Sequence, residues 1–252
     1  EMALTNKVAV VTASTAGIGF SIAKRLLEKN CKVVLSSRNR ENVEIALNNL
    51  KSFGDSVYGM PCHVGKPEDR ENLVRQAVET FGKLDILVSN AAVNPFFGSI
   101  LDCPESVWHK LFEINVMAAV MLTKLVLPEM EKVGQGSIVL VSSIGGYTPI
   151  SMLGPYCVTK TALLGLTKTL SAECAPSHVR VNCVAPGIIK TKFSEALHSN
   201  EDISDVILQR IPLQRFGVPD DVSGTVSFLC SDEAQYITGE TIVIAGGMDS
   251  HL

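Results

Sequence analysis

Tyr156 and Lys160, in the stretch YCVTK, stand four positions apart, so on a helix they share one face. Reducing a carbonyl takes a proton donor at oxygen while a hydride arrives at carbon, and a tuned tyrosine hydroxyl can be that donor. A free phenol titrates at about 10, and a lysine ammonium beside it favours the phenolate, which predicts a lowered pKa for Tyr156. Upstream, the strand-like run SIVLVSS ends in Ser142 and Ser143, hydroxyls that could hold a substrate oxygen or cap the following turn. Asn115 lies inside the apolar stretch EINVMAAV, where an amide serves catalysis or satisfies a kinked backbone.

A second chemistry is written in TASTAGIG, Thr12 to Gly19, directly after the apolar run Val8 to Val11. Glycines in a turn between a first strand and a first helix let a dinucleotide pyrophosphate approach the helix N-terminus. Ala13 stands where a glycine is expected; it costs little in ordinary backbone and about 1 kcal/mol at positive φ. After the second strand-like run, VVLSSRNR puts Ser37 and Arg38 where an acid would bind ribose hydroxyls and a cation would take a 2'-phosphate. A planar guanidinium suits phosphate, so NADP(H) is the expected cofactor.

These groups need a scaffold. The chain has 252 residues, 46% hydrophobic and 19% charged, enough for one α/β domain over residues 1–252. Short β-branched runs at 8–11, 32–36, 57–60, 86–89, 137–141, 180–184 and 241–245 alternate with helix-length stretches. The expected helices cover 17–29, 40–53, 67–81, 105–132 with a break near Asn115, 156–175 and 219–231. This is the pattern of a doubly wound, Rossmann-type parallel sheet of about seven strands with helices on both faces. The charged segment 190–216 is long for a connection and predicts a substrate lid with its own helix at 202–209.

Composition excludes several classes. A net charge of -4 without a basic block argues against nucleic acid or an anionic membrane. Seven scattered cysteines without a Cys-x-x-Cys pair predict neither a disulfide framework nor a metal site. Val116 to Leu127 is too short to span a bilayer, and no apolar leader region opens the sequence, so a soluble, non-secreted protein is expected.

The glycine turn together with Tyr-x-x-x-Lys resembles the short-chain dehydrogenase/reductase family, whose usual turn is Thr-Gly-x-x-x-Gly-x-Gly. CHVGKPEDRENLV, SNAAVNPFFGSI, KTALLGLTKTL and FLCSDEAQYITGETIVIAGG look like its peroxisomal NADPH-dependent carbonyl and retinal reductase branch, which shares the alanine at position 13. The resemblance spans essentially the whole chain. It implies that Tyr156 is acid and base and that Lys160 is its tuner and ribose ligand. Ser143, thirteen positions before Tyr156, is preferred over Ser142 as the carbonyl orienter, and Asn115 is implied to hold a proton-relay water. Around the cofactor it implies Ala13, Ser14, Thr15, Gly17, Ile18, Gly19, Ser37, Arg38, His63, Val64, Asn90, Pro186, Gly187, Ile189 and Thr191. His63 stands where many relatives carry an aspartate near adenine.

Candidate substrate walls are 94–97, 144–153 and the segment from Lys192, with Phe96, Phe97, Met152, Leu153 and Phe193 suggesting an apolar carbonyl compound. The branch resemblance implies retinal, aromatic ketones, dicarbonyls or ketosteroids, and a homotetramer built on the 105–132 and 156–175 helices and the C-terminal strand region. Ser250-His251-Leu252 resembles the peroxisomal Ser-Lys-Leu address read by an import receptor, the alternative location being cytoplasmic. Two other functions stay open: a 3-oxoacyl or other fatty-acyl thioester reductase, and a non-catalytic NADPH-binding sensor. The dienoyl-reducing branch generally lacks the tyrosine that Tyr156 supplies, and a sensor would have no use for Ser143, Tyr156 and Lys160 together.

Overall fold

The computed structural model describes residues 4–195 and 201–250. Seven strands, β1 (Val8–Val11), β2 (Lys32–Ser37), β3 (Val57–Pro61), β4 (Ile86–Ser89), β5 (Gly136–Val141), β6 (Val179–Pro186) and β7 (Thr241–Ile244), form one parallel sheet. The strand order is β3-β2-β1-β4-β5-β6-β7, so the winding reverses between β1 and β4. A crevice for ligand opens at that reversal, beyond the carboxyl ends of the strands.

Alternation along β1 assigns the two cores. Val8 and Val10 face α3 (Pro67–Phe81), α5 (Ala118–Val133) and α6 (Gly154–Cys174) through Leu73, Val126 and Leu163. Ala9 and Val11 face α1 (Gly17–Glu28), α2 (Arg40–Asn49) and α8 (Pro219–Cys230) through Ile22, Val43 and Val226. Both faces are dry, which is why the strands read as continuous Val and Ile runs.

Two elements differ from expectation, and a third lies partly outside the described residues. α2 stops at Asn49, because Leu50 drops into the core and the chain tightens into a 3-10 turn over Lys51–Ser56. The expected helix break near Asn115 is a π turn, Glu113–Met117, between α4 (Glu105–Phe112) and α5. Residues 196–200 of the expected lid lie outside the described residues; the segment's helix, α7, runs Glu201–Leu208, with Ile207 and Leu208 packed against Ile188, Ile211 and Phe216.

Among the described residues one helical run, Glu105–Val133, is long and apolar enough by composition to cross a membrane. Here Ala118, Leu122, Val126 and Met130 bury it on the sheet, as a core helix does. The seven cysteines are free thiols, and all but Cys103 are buried.

Candidate active site

Buried hydroxyls build the loop after β1. Thr12 Oγ1 donates to Val88 O (3.4 Å) and accepts the N–H groups of Asn90 (3.0 Å) and Ala91 (3.1 Å). Asn90 Nδ2 donates to the carbonyls of Thr12 and Ala13, both at 3.0 Å. Ser14 corrects the sequence reading. Its Oγ donates to Val11 O (2.6 Å) and accepts from Ser36 N–H (3.0 Å), while its own N–H goes to Ser36 O (2.9 Å). A fully buried hydroxyl must find partners inside, so the Ser14 side chain and N–H tie the loop to its strands and do not face a ligand. Asn90 likewise shapes the loop through Thr12 and Ala13.

Gly17 holds φ +56, and a Cβ on Gly19 would lie 2.5 Å from Asn90 Nδ2 and 2.9 Å from Ser14 Cα. Only glycine lets this turn close so tightly. Ala16 caps α1 without a side-chain acceptor, so the first-turn N–H groups are open to an anion. This cradle fits a dinucleotide pyrophosphate. Ala13 sits at φ +49, in the costly region that the sequence left undecided. Ala13→Gly is expected to stabilise the fold by up to about 1 kcal/mol, strain relief being partly offset by the freer unfolded chain. That is roughly 2–4 °C in the thermal midpoint, and a lower midpoint by calorimetry refutes it.

Beside the loop, Ala13, Thr15, Ser37, Arg38, His63 and Val64 line a cavity of about 170 Å³. Arg38 is exposed at the end of β2 and, among the described residues, has no ion-pair or hydrogen-bond partner. A cation left open at a strand end beside a glycine cradle fits a phosphate on ribose.

A cavity of about 650 Å³ continues from the loop past Gly17, Ile18 and Gly19 to Tyr156, Lys160, Pro186, Gly187, Ile189 and Thr191. Gly187 is fixed by its N–H to Ile244 O (2.8 Å), and a Cβ there would lie 2.8 Å from Ala245 Cα. Ile189 bridges to Gly217, and Thr191 caps the turn Lys192–Ser194.

The catalytic candidates meet on α6 and the end of β5. Lys160 is buried; its Nζ donates to Val141 O (2.8 Å) and stands 5.5 Å from the Tyr156 ring centroid. Desolvation pulls its pKa down to about 8. Tyr156 is also buried, and desolvation pushes its phenol above the usual 10, with a hydrogen bond from Ser143 opposing the rise. The expected lowering by Lys160 is therefore not what dominates: the protein alone holds Tyr156 firmly protonated, and the ammonium is directed at the Val141 carbonyl.

Ser142 and Ser143 separate. Ser142 Oγ donates to Lys160 O (2.7 Å), whereas Ser143 Oγ accepts from Gly145 N–H (3.1 Å) and faces the neighbouring cavity with Tyr156. Ser143 thus caps its turn and meets the site at once. The Asn115 side chain ties two elements together. Its Oδ1 accepts from Val93 N–H (2.8 Å), and its Nδ2 donates to Val93 O and Thr159 Oγ1, both at 3.0 Å. It joins the loop after β4 to α6, using both of its N–H donors.

Tyr156 and Ser143 also line an apolar chamber of about 340 Å³, with Asn94, Pro95, Phe96, Phe97, Ile150, Leu153, Ile188 and Phe193. The expected walls meet there except Met152, which points outward at φ +66 while its carbonyl accepts from Gly98 N–H (2.9 Å). Sequence reasoning missed Thr159, Asp69 and Arg70 as positioning residues. The last two hold the backbone beside the 170 Å³ cavity, Asp69 Oδ2 accepting from His63 N–H and Arg70 donating to Val64 O. A larger cavity, about 730 Å³, opens at the amino ends of the strands around Lys7, Asp85 and Arg180. Its charges are matched within the protein, Lys7 to Asp232, Lys83 to Asp85 and Arg180 to backbone carbonyls, so it offers no chemistry comparable to the Tyr156 site.

A Rossmann-type sheet, a glycine cradle and a Ser-Tyr-Lys cluster at the carboxyl ends of its strands define a nicotinamide-dependent oxidoreductase. The chain belongs to the short-chain dehydrogenase/reductase family. A family model described as Enoyl-(Acyl carrier protein) reductase matches residues 12–249. Dehydrogenase/reductase SDR family member 4 of Bos taurus is 57% identical over 249 residues, 99% of this chain and 89% of that protein. The Homo sapiens protein of that name is 56% identical over 99% of this chain and 90% of its own length. Among solved structures, a 7 alpha-hydroxysteroid dehydrogenase complexed with NADH and 7-oxo glycochenodeoxycholic acid superposes with a TM-score of 0.94. It is 29% identical, and the match covers 100% of this chain and 97% of that one. A short-chain type dehydrogenase/reductase of Mycobacterium ulcerans gives 0.93 at 27% identity, over 97% and 90% of the chains.

Proposed function

We propose that the protein is an NADPH-dependent reductase of apolar aldehydes and ketones, of the retinal and aromatic-ketone kind. The observation that carries this is the position of Tyr156 and Ser143 in the wall shared by the dinucleotide-sized cavity and the apolar chamber. The member 4 relatives support the oxidoreductase assignment, and the solved neighbour holding a 7-oxo bile acid shows such a fold accepting a bulky ketone.

The nicotinamide, when bound, supplies hydride to the carbonyl carbon. Ser143 donates to the carbonyl oxygen and fixes its direction. Tyr156, kept protonated by burial, gives that oxygen its proton. The Lys160 ammonium stabilises the phenolate left behind and has donors to spare for ribose hydroxyls beyond its bond to Val141 O. Phe96, Phe97, Ile150 and Phe193 surround the reacting carbonyl with apolar side chains.

A second reading, reduction of 3-oxoacyl or other acyl thioesters, is favoured by the acyl-carrier-protein reductase description of the matching family model. A panel of ketones, retinal and acyl-CoA thioesters, followed by loss of NADPH absorbance, decides between them. Turnover confined to thioesters moves the assignment to the second reading, and none anywhere leaves a binding protein.

We place the protein in the peroxisome through Ser250-His251-Leu252, of which His251 and Leu252 lie outside the described residues. A reporter carrying this tail is expected to enter peroxisomes and to become diffuse when Leu252 is removed; a diffuse intact reporter rejects the address. A homotetramer is supported by Phe112, Met117 and Val158, apolar and exposed on the helical run 105–133 and on α6. Sedimentation reads that mass directly.

A further inference from the structure

We infer that Thr159 is a positioning residue: its hydroxyl ties the turn of α6 that carries Tyr156 to the loop after β4, and through that loop to the glycine cradle, while Lys160 is anchored elsewhere. This rests on the reductase reading above.

Thr159 is fully buried, and its hydroxyl is engaged as donor and as acceptor. It donates to Tyr156 O (2.7 Å) and accepts from Asn115 Nδ2 (3.0 Å). The same Asn115 amide holds both backbone groups of Val93, donating to its carbonyl (3.0 Å) and accepting its N–H (2.8 Å). Just upstream, Asn90 and Ala91 give their N–H groups to Thr12 Oγ1 at the head of the cradle. An unbroken path of hydrogen bonds and loop backbone therefore joins the cradle to the proton donor.

Lys160, the next residue along α6, uses none of this path. Its Nζ donates to Val141 O (2.8 Å) and its carbonyl accepts from Ser142 Oγ (2.7 Å), both at the end of β5. Two neighbours on one helix are thus fixed to different strand ends. Tyr156 shares its reference with the cradle, which suits a reaction where the proton must reach oxygen as the cofactor's hydride reaches carbon. Without the Thr159 hydroxyl, an Asn115 N–H loses its acceptor in a buried place and the Tyr156 carbonyl loses this donor, while the Lys160 contacts stay intact.

The test is Thr159→Val, which keeps the branched shape and removes the hydroxyl, with NADPH and an aromatic ketone. Its kcat is expected to fall by about tenfold to a hundredfold, the range for a catalytic group displaced by up to about 1 Å. KM and the NADPH dissociation constant should stay within about threefold of wild type, and the pH profile should keep its shape. Thr159→Ser should recover most of the loss. In a Tyr156→Phe background, Thr159→Val should cost less than about threefold more, because no phenol hydroxyl remains to be positioned. An undiminished kcat, a shifted pH profile, a loss that serine does not recover, or a full further loss in the Tyr156→Phe background overturns the inference. Thr159→Ala takes the place of the valine variant if that one does not bind NADPH; failure of both to bind makes the hydroxyl a requirement of the fold and also overturns it. Wild type that reduces no ketone removes the reductase reading instead, and the inference with it.

Discussion

Tyr156→Phe is expected to lower reductase turnover by about 10²- to 10⁴-fold while NADPH affinity stays within a few-fold. The ring would still pack, tilted against Phe193 at 5.7 Å between centroids, so the apolar wall survives and only the hydroxyl at the shared wall is lost. Ser143 cannot replace it, because a serine hydroxyl is a far weaker acid and the Ser143 oxygen already accepts from Gly145 N–H. The pH profile carries a second signature. With the Lys160 pKa lowered to about 8, its cation is lost as pH rises through that value, and wild-type turnover should fall there while cofactor binding weakens. Single-turnover kinetics with prebound NADPH separate the two effects, and undiminished turnover in Tyr156→Phe would exclude the mechanism.

Arg38→Ala is expected to weaken NADPH by about tenfold to a hundredfold, the range for losing a hydrogen bond to a charged group, and to leave NADH unchanged. The guanidinium is exposed and has no protein partner among the described residues, so its removal disturbs no internal contact. Adding Ser37→Asp should reverse the preference, by offering ribose hydroxyls an acceptor and repelling the 2'-phosphate. Raised salt should shrink the wild-type preference, as it does for exposed charges. Equal weakening of both cofactors would locate the damage in the adenosine cavity and remove the NADPH assignment.

The sheet was legible because Val and Ile runs buried on both faces, bounded by turn residues, leave strands little freedom in where to start. The helix break at Asn115 was legible as a break, since an amide inside EINVMAAV needs partners an apolar helix lacks. Its π form and its bonds to Val93 and Thr159 were not, because those partners lie 22 and 44 positions away. Ser14 shows the same limit: spacing put it on the cofactor loop, while the inward direction of its hydroxyl depends on Ser36 in another strand. The upward shift of Tyr156 was hidden for a related reason. The four-residue spacing promises an ammonium nearby, but it says nothing of the desolvation that outweighs it.

Ala13 carries a left-handed φ that glycine reaches freely, and alanine and glycine codons differ by a single base, so mutation alone does not keep them apart. What distinguishes them is what must hold the loop in that shape. A methyl at position 13 raises the energy of the left-handed conformation, so the alanine form depends on its neighbours: Asn90 donates to the Ala13 carbonyl and Ser36 O accepts the next N–H. The glycine form would keep the cradle with less help; the alanine form makes it answer to Asn90 and Ser36.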